Sequence, residues 1–130
     1  MTTSSPAETI AYARQFAARL KPGDVVALTG DLGAGKTCFV KGLVAGCAVT
    51  SPTFSMLHVY HASVPIYHVD LYRLDSVEQA LAIGIEDYLP APDAITVIEW
   101  ADKIESLLPP ATIRVRFEIT GETTRRIEVQ

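Results

Sequence analysis

The sequence predicts a single α/β domain, a mostly parallel sheet flanked by helices and ending in a C-terminal antiparallel hairpin. Three observations carry that expectation. Val25-Val26-Ala27-Leu28-Thr29 is a short apolar run rich in β-branched residues, as a buried strand requires, and Phe39, Val40, Leu43, Val44 and Cys47 follow at helical spacing. Further on, strand-like runs at 65–71 and 94–98 are separated by a capped helical stretch, an order that builds parallel sheets with helical crossovers. From residue 113 the period changes to that of a half-exposed strand. Ile113, Val115, Phe117 and Ile119 alternate with Arg114, Arg116 and Glu118, and Gly121-Glu122 turns the chain into a last strand, 125–129.

Between the first strand and its helix lies Gly30-Asp31-Leu32-Gly33-Ala34-Gly35-Lys36-Thr37, which satisfies G-x-x-x-x-G-K-[ST]. Glycines there let backbone N–H groups turn inward around phosphate oxygens, and the helix N-terminus adds partial positive charge. Lys36 is expected to reach the β- and γ-phosphates of a nucleoside triphosphate, and Thr37 to place its hydroxyl on Mg²⁺. The fold class is therefore P-loop NTPase-like.

The other elements follow in order. Residues 1–4 are expected to fray. Ser5 as N-cap, Pro6 at the first helical position and Glu8 closing a capping box start a helix whose buried face is Ile10, Ala13, Phe16, Ala17 and Leu20. Lys21-Pro22-Gly23-Asp24 stops it. Residues 48–54 read as a loop, 56–60 as a strand and Ala62-Ser63 as a turn. Asp75 to Glu78 form a second capping box opening a helix that Gly84 ends. Residues 101–108 read as helical up to Pro109-Pro110.

Composition narrows the function. With 130 residues, 48% hydrophobic and 20% charged, the chain suits one packed domain over 1–130 and neither a disordered nor a fibrous class. No apolar run approaches the ~20 residues needed to cross a bilayer, and no basic-then-apolar leader is visible, so no membrane partner is expected. The net charge of −4 argues against an extended nucleic-acid groove, so a polynucleotide would be held by a partner. Cys38 and Cys47 match no metal-ligand spacing and cannot bridge within one helix, which points to reduced thiols in the cytoplasm. His58, His61 and His68 lack a second ligand cluster, so zinc is not expected.

A triphosphate site also needs a metal shell and a group to orient the attacking nucleophile. Glu99, at the end of an apolar strand, is the candidate metal acid beside Thr37; two protein ligands suffice, because Mg²⁺ keeps several waters. Asp70 ends the preceding strand and is the best carboxylate left for the nucleophile, with a helix cap or an ion pair to Arg73 as the alternative. Ser51 and Thr53 are candidate γ-phosphate sensors, or else ordinary turn residues. Trp100 is either core or a docking aromatic. The absence of an Asn-Lys-x-Asp motif favours adenine over guanine. Arg73 is the only arginine between the glycine loop and residue 113, so no arginine-rich lid exists and a partner is expected to complete the site.

Gly30 to Thr37, Ser51-Pro52-Thr53-Phe54, Tyr67-His68-Val69-Asp70-Leu71-Tyr72-Arg73-Leu74 and Ile98-Glu99-Trp100, in that order, resemble the bacterial TsaE (YjeE) family over nearly the whole chain. The resemblance implies a weak Mg²⁺-dependent ATPase that binds ATP/ADP and acts with the TsaD–TsaB complex. Those partners place a threonylcarbamoyl group on adenosine 37 of tRNA. Carried over by residue, Gly33, Ala34, Gly35, Lys36, Thr37 and Cys38 bind phosphates, Thr37 and Glu99 hold Mg²⁺, and Asp70 is the catalytic carboxylate with Lys36. Thr53 lies in a switch-like loop, Trp100 follows the metal acid, and Thr9 and Arg126 match nucleotide-binding positions. Cys38 departs from the family pattern, where a second Thr is common; a thiol is the weaker donor, so its contact with an α-phosphate is open. Two other functions fit the same residues: a nucleotide-gated binding module with incidental hydrolysis, and a small-molecule kinase using Asp70 as base.

Overall fold

The computed structural model describes residues 1–45, 48, 49, 56–61 and 64–130. Its strands are β1 (Thr2–Thr3), β2 (Val25–Thr29), β3 (Ala48–Val49), β4 (Leu57–His61), β5 (Ile66–Asp70), β6 (Ile95–Glu99), β7 (Ile113–Ile119) and β8 (Arg125–Val129). The α-helices are α1 (Pro6–Ala17), α2 (Lys36–Leu43) and α3 (Val77–Ala82), with 3-10 helices at Ile85–Tyr88 and Ala101–Leu107. The described strands form one mixed sheet in the order β1-β8-β7-β2-β6-β5-β4-β3. Its core is parallel: β2 pairs with both β6 and β7, and β6 with β5. Antiparallel strands close both sides.

Alternation along the central strands sends side chains to two cores. Val26 and Leu28 of β2 join Val97 of β6 and Val115 of β7 beneath α1 and α2, where they meet Ala13, Phe16, Phe39 and Leu43. Val25 and Ala27 face the other way with Val69 and Ile98, against Ala80, Ile85 and Ile104. The two helices over the first face pack closely at Gly42, where a Cβ would run into the Ile10 carbonyl and lie 2.6 Å from the Ala13 methyl. Helices on both faces thus fix the ends of β2, β5 and β6, where the glycine loop and the acids emerge.

Several local expectations need correction. The antiparallel hairpin of β7 and β8 forms as expected, but β7 is also the fourth strand of the parallel core, with Leu28 opposite Val115. Its half-exposed pattern arises because Val115 and Phe117 are buried under α1 and α2 while Arg114 pairs with Glu105. Residues 1–4 contribute structure: β1 pairs with β8, and Thr3 is fully buried with its hydroxyl 2.7 Å from that of Thr9. Helix α1 ends at Ala17, and Ala18 to Leu20 form i→i+3 bonds rather than a further α turn. Residues 101–107 are short 3-10 turns meeting at a kink, where Ile104 leaves helical geometry (φ −126°, ψ 32°) and is buried together with Ala101.

Both helix starts use the expected chemistry, shifted by a residue. Ser5 accepts from the Glu8 N–H, but Glu8 accepts from Ser4 rather than from Ser5. The cap of α3 is Ser76, not Asp75; it accepts from the Gln79 N–H while Gln79 accepts from the Asp75 N–H. Residues 48 and 49 form a strand where a loop is expected. Ser51 to Phe54, the Ala62-Ser63 turn and Cys47 lie outside the described residues. Among the described residues no helix is long and apolar enough to cross a membrane.

Candidate functional site

The glycine loop leaves the C-terminal end of β2 and enters α2 through Gly35, whose φ of 110° suits glycine and turns the chain into the helix. Gly30 leaves the strand under Phe117, with no room for a side chain: a Cβ would lie 2.6 Å from that residue's carbonyl oxygen. Lys36, the first helical residue, is only 4% exposed. Its ammonium donates to the carbonyls of Gly30 and Asp31 and lies 4.0 Å from the centre of the Trp100 ring. Burial lowers the Lys36 pKa, opposed by the negative charges of Glu99, Asp102, Asp31 and Asp70. The loop is thus folded onto its own lysine, a cation surrounded by acids.

On the neighbouring parallel strands, Asp70 and Glu99 stand opposite each other in register at the C-terminal ends of β5 and β6. This edge is where open α/β sheets place ligands. Glu99 is 4% exposed. The Thr37 hydroxyl lies 3.5 Å from Glu99 Oε1, and His68 Nε2 lies 2.7 Å from Glu99 Oε2. Asp70 accepts from the Tyr72 N–H at 3.0 Å, an Asx-type turn that keeps its other oxygen free of that bond. Lys36, Thr37, Asp70, Glu99 and Trp100 line one cleft of about 240 Å³ beside the loop. Trp100 takes a left-handed conformation (φ 61°), an uncommon one for a bulky residue, and Tyr72 packs on it with ring centres 5.2 Å apart. Lys103 holds that rim by donating to the carbonyls of Tyr72 and Leu74.

A second hollow of about 250 Å³ opens on the other side of the loop, between Ser5, Thr9, Gly33, Cys38, Glu122 and Arg125. Cys38 borders both hollows. Thr9 is buried beneath the second, tied to Thr3. Arg126 does not reach it: its guanidinium lies 3.4 Å from Glu118, its cross-strand partner, and its side chain is half exposed. Arg125 does, donating from Nε to the Gly33 carbonyl at 3.2 Å. Alternation explains the exchange. Ile127 is buried in the core under α1, so Arg125 shares its face and Arg126 takes the opposite one.

Lys36, Thr37, Asp70, Glu99 and Trp100, the residues singled out in the sequence, border one cleft, and Thr9, Gly33, Gly35 and Cys38 border the second hollow beside the loop. Ala34 is buried, its N–H bonded to the Asp31 carbonyl. Thr53 falls outside the described residues. Two further side chains touch this region: Arg125, which bonds the Gly33 carbonyl and is marked by strand alternation, and His68, whose partner Glu99 lies on another strand and leaves no local signal.

The sheet order, the glycine loop between β2 and α2 and the paired acids at the strand ends define a P-loop NTPase-like protein. The chain belongs to the TsaE family: the family described as threonylcarbamoyl adenosine biosynthesis protein TsaE matches residues 3–127. It is 42% identical to the tRNA threonylcarbamoyladenosine biosynthesis protein TsaE of Treponema pallidum, a match covering 85% of this chain and 84% of that one. With the Bacillus subtilis protein of the same name it shares 40% identity over 96% of this chain and 80% of the relative. The crystal structure of YdiB from Bacillus subtilis superposes with a TM-score of 0.81 at 37% identity, covering 98% of this chain and 80% of that one.

Proposed function

We propose that the protein is an Mg²⁺-dependent ATP-binding protein and weak ATPase that serves N6-threonylcarbamoylation of adenosine 37 in tRNA, in the cytoplasm, with a TsaD–TsaB complex. The observation that carries this reading is the convergence of Lys36, Thr37, Asp70 and Glu99 in one cleft beside the glycine loop. The donor set suits the metal. A hydroxyl and a carboxylate are hard oxygen ligands, and their 3.5 Å separation leaves them able to face one small cation from one side. When bound, Mg²⁺ would neutralise charge on the β- and γ-phosphates. Lys36 would exchange its two loop carbonyls for phosphate oxygens, the stronger charge-assisted partners. Asp70 would orient the attacking water, its carboxylate held by the Tyr72 N–H.

The second hollow suits the ribose and base. Arg125→Ala is then expected to weaken ATP binding several-fold while Arg126→Ala, in an exposed cross-strand pair, leaves it unchanged; calorimetric titration of both variants decides which arginine serves the nucleotide.

The acidic chain is poorly suited to gripping tRNA and its site has no arginine lid, so turnover is expected to depend on a partner. ATP hydrolysis measured alone, and again with reconstituted TsaD, TsaB and tRNA, tests the proposal. Turnover that rises with the complex, together with repeated rounds of tRNA modification, is the expected result. Modification that requires ATP binding but not hydrolysis would instead make the protein a nucleotide-gated module.

A further inference from the structure

We propose that His68 is a positioning residue that fixes the rotamer of Glu99, so that one carboxylate oxygen is committed to the imidazole and the other is turned to Thr37 and the metal. The proposal rests on the reading of Thr37 and Glu99 as the metal pair. A carboxylate offers only acceptor oxygens, so His68 donates from Nε2, which lies 2.7 Å from Glu99 Oε2. Glu99 Oε1 is the oxygen facing the Thr37 hydroxyl. The two oxygens of one acid are therefore divided between a support and a ligand position. Both side chains are well buried, at 11% and 5% exposure, so the bond forms where a donor counts most.

The imidazole is itself held. Its ring stacks on His58 with centres 5.9 Å apart and planes 29° from parallel, and the Tyr60 ring lies 6.4 Å away. Both come from β4, the antiparallel neighbour of β5, with His58 directly opposite His68. Among the described residues His68 Nδ1 has no hydrogen-bond partner, so Nε2 carries the whole polar role of the ring. A histidine serving only as packing would not need its donor aimed at the metal acid. Supports of this kind typically change metal affinity 10–100-fold when removed.

Wild type, His68→Gln and His68→Leu can be compared by titrating a non-hydrolysable ATP analogue in EDTA and across a Mg²⁺ series, with unfolding curves to check the fold. The Gln amide nitrogen can stand near the position of Nε2, whereas Leu keeps bulk and loses the donor. His68→Leu is expected to raise the Mg²⁺ concentration that half-saturates the metal-dependent gain in affinity by about tenfold, with metal-free affinity unchanged. His68→Gln is expected to restore most of it. If the Leu variant does not fold, His68→Asn replaces it, because its amide falls short of Glu99. An unchanged Mg²⁺ requirement, a Gln variant as impaired as Leu, or equal loss of metal-free binding would overturn the proposal. Wild type showing no Mg²⁺ dependence would overturn the metal-pair reading instead.

Discussion

Lys36→Ala is expected to weaken ATP binding on the order of 100-fold or more, read by calorimetry, because on the proposed reading it removes a buried cation that would pair with the phosphates. Charge-assisted hydrogen bonds contribute about 1.5–3 kcal/mol each, and ~1.4 kcal/mol is tenfold in affinity. ATP affinity retained in this variant would sink the loop assignment. The same residue carries a stability signature in the nucleotide-free protein. Burial holds the Lys36 pKa below its usual 10.5, so the folded state disfavours the charged form. Within the window between the lowered value and 10.5, the unfolded chain binds more protons than the native one, and stability rises with pH. The stability deficit of wild type against Lys36→Met should therefore narrow as pH climbs towards 10.5 in denaturant unfolding. A gap independent of pH would mean that the ammonium carries no desolvation penalty.

Asp70→Ala is expected to keep ATP binding and lose about 100-fold or more in turnover, the usual effect of removing a group that orients and deprotonates the nucleophile. Its side chain has a second task, closing the turn to the Tyr72 N–H. Asp70→Asn separates the two, since an amide oxygen can still accept that bond while the charge is gone. Single-turnover hydrolysis and equilibrium binding should show both variants slow and both binding normally. If Asn hydrolyses at the wild-type rate, Asp70 acts through the turn and not as a carboxylate. If Ala loses binding as much as turnover, it is a residue of the fold.

Where the sequence was legible, the cause was local. Val25 to Thr29, the glycine loop and the helical spacing of Phe39, Val40 and Leu43 are contiguous, and β2, the loop and α2 stand as expected. Asp70 and Glu99 stand out in the sequence because each ends an apolar run, and parallel pairing of β5 with β6 sets them side by side. The failures involve partners distant in sequence. Whether 113–119 pairs with its own hairpin or also with β2 depends on register across the sheet, which alternation alone does not reveal. The burial of Thr3 depends on β8, more than a hundred residues away. His68 could be noticed as one of three histidines, but its tie to Glu99 exists only after two strands align. Arg125 rather than Arg126 shares the inward face with the buried Ile127, and the two alanine variants decide which of them serves a nucleotide.

The order of the sheet also sets how each half of the site opens. Asp70 and Glu99 are anchored on β5 and β6, interior strands with a bonded neighbour on both sides. Amides on such strands are the last to exchange with solvent, opening only when the whole domain does. The hollow beneath Arg125 is built differently. It leans on β8, whose outer neighbour is the two-residue β1, at the margin of the sheet. A fluctuation that frees β1 would loosen Thr9 and Arg125 while the acids stay in register. Local unfolding at that one margin would then open the second hollow without disturbing the cleft between Lys36, Asp70 and Glu99.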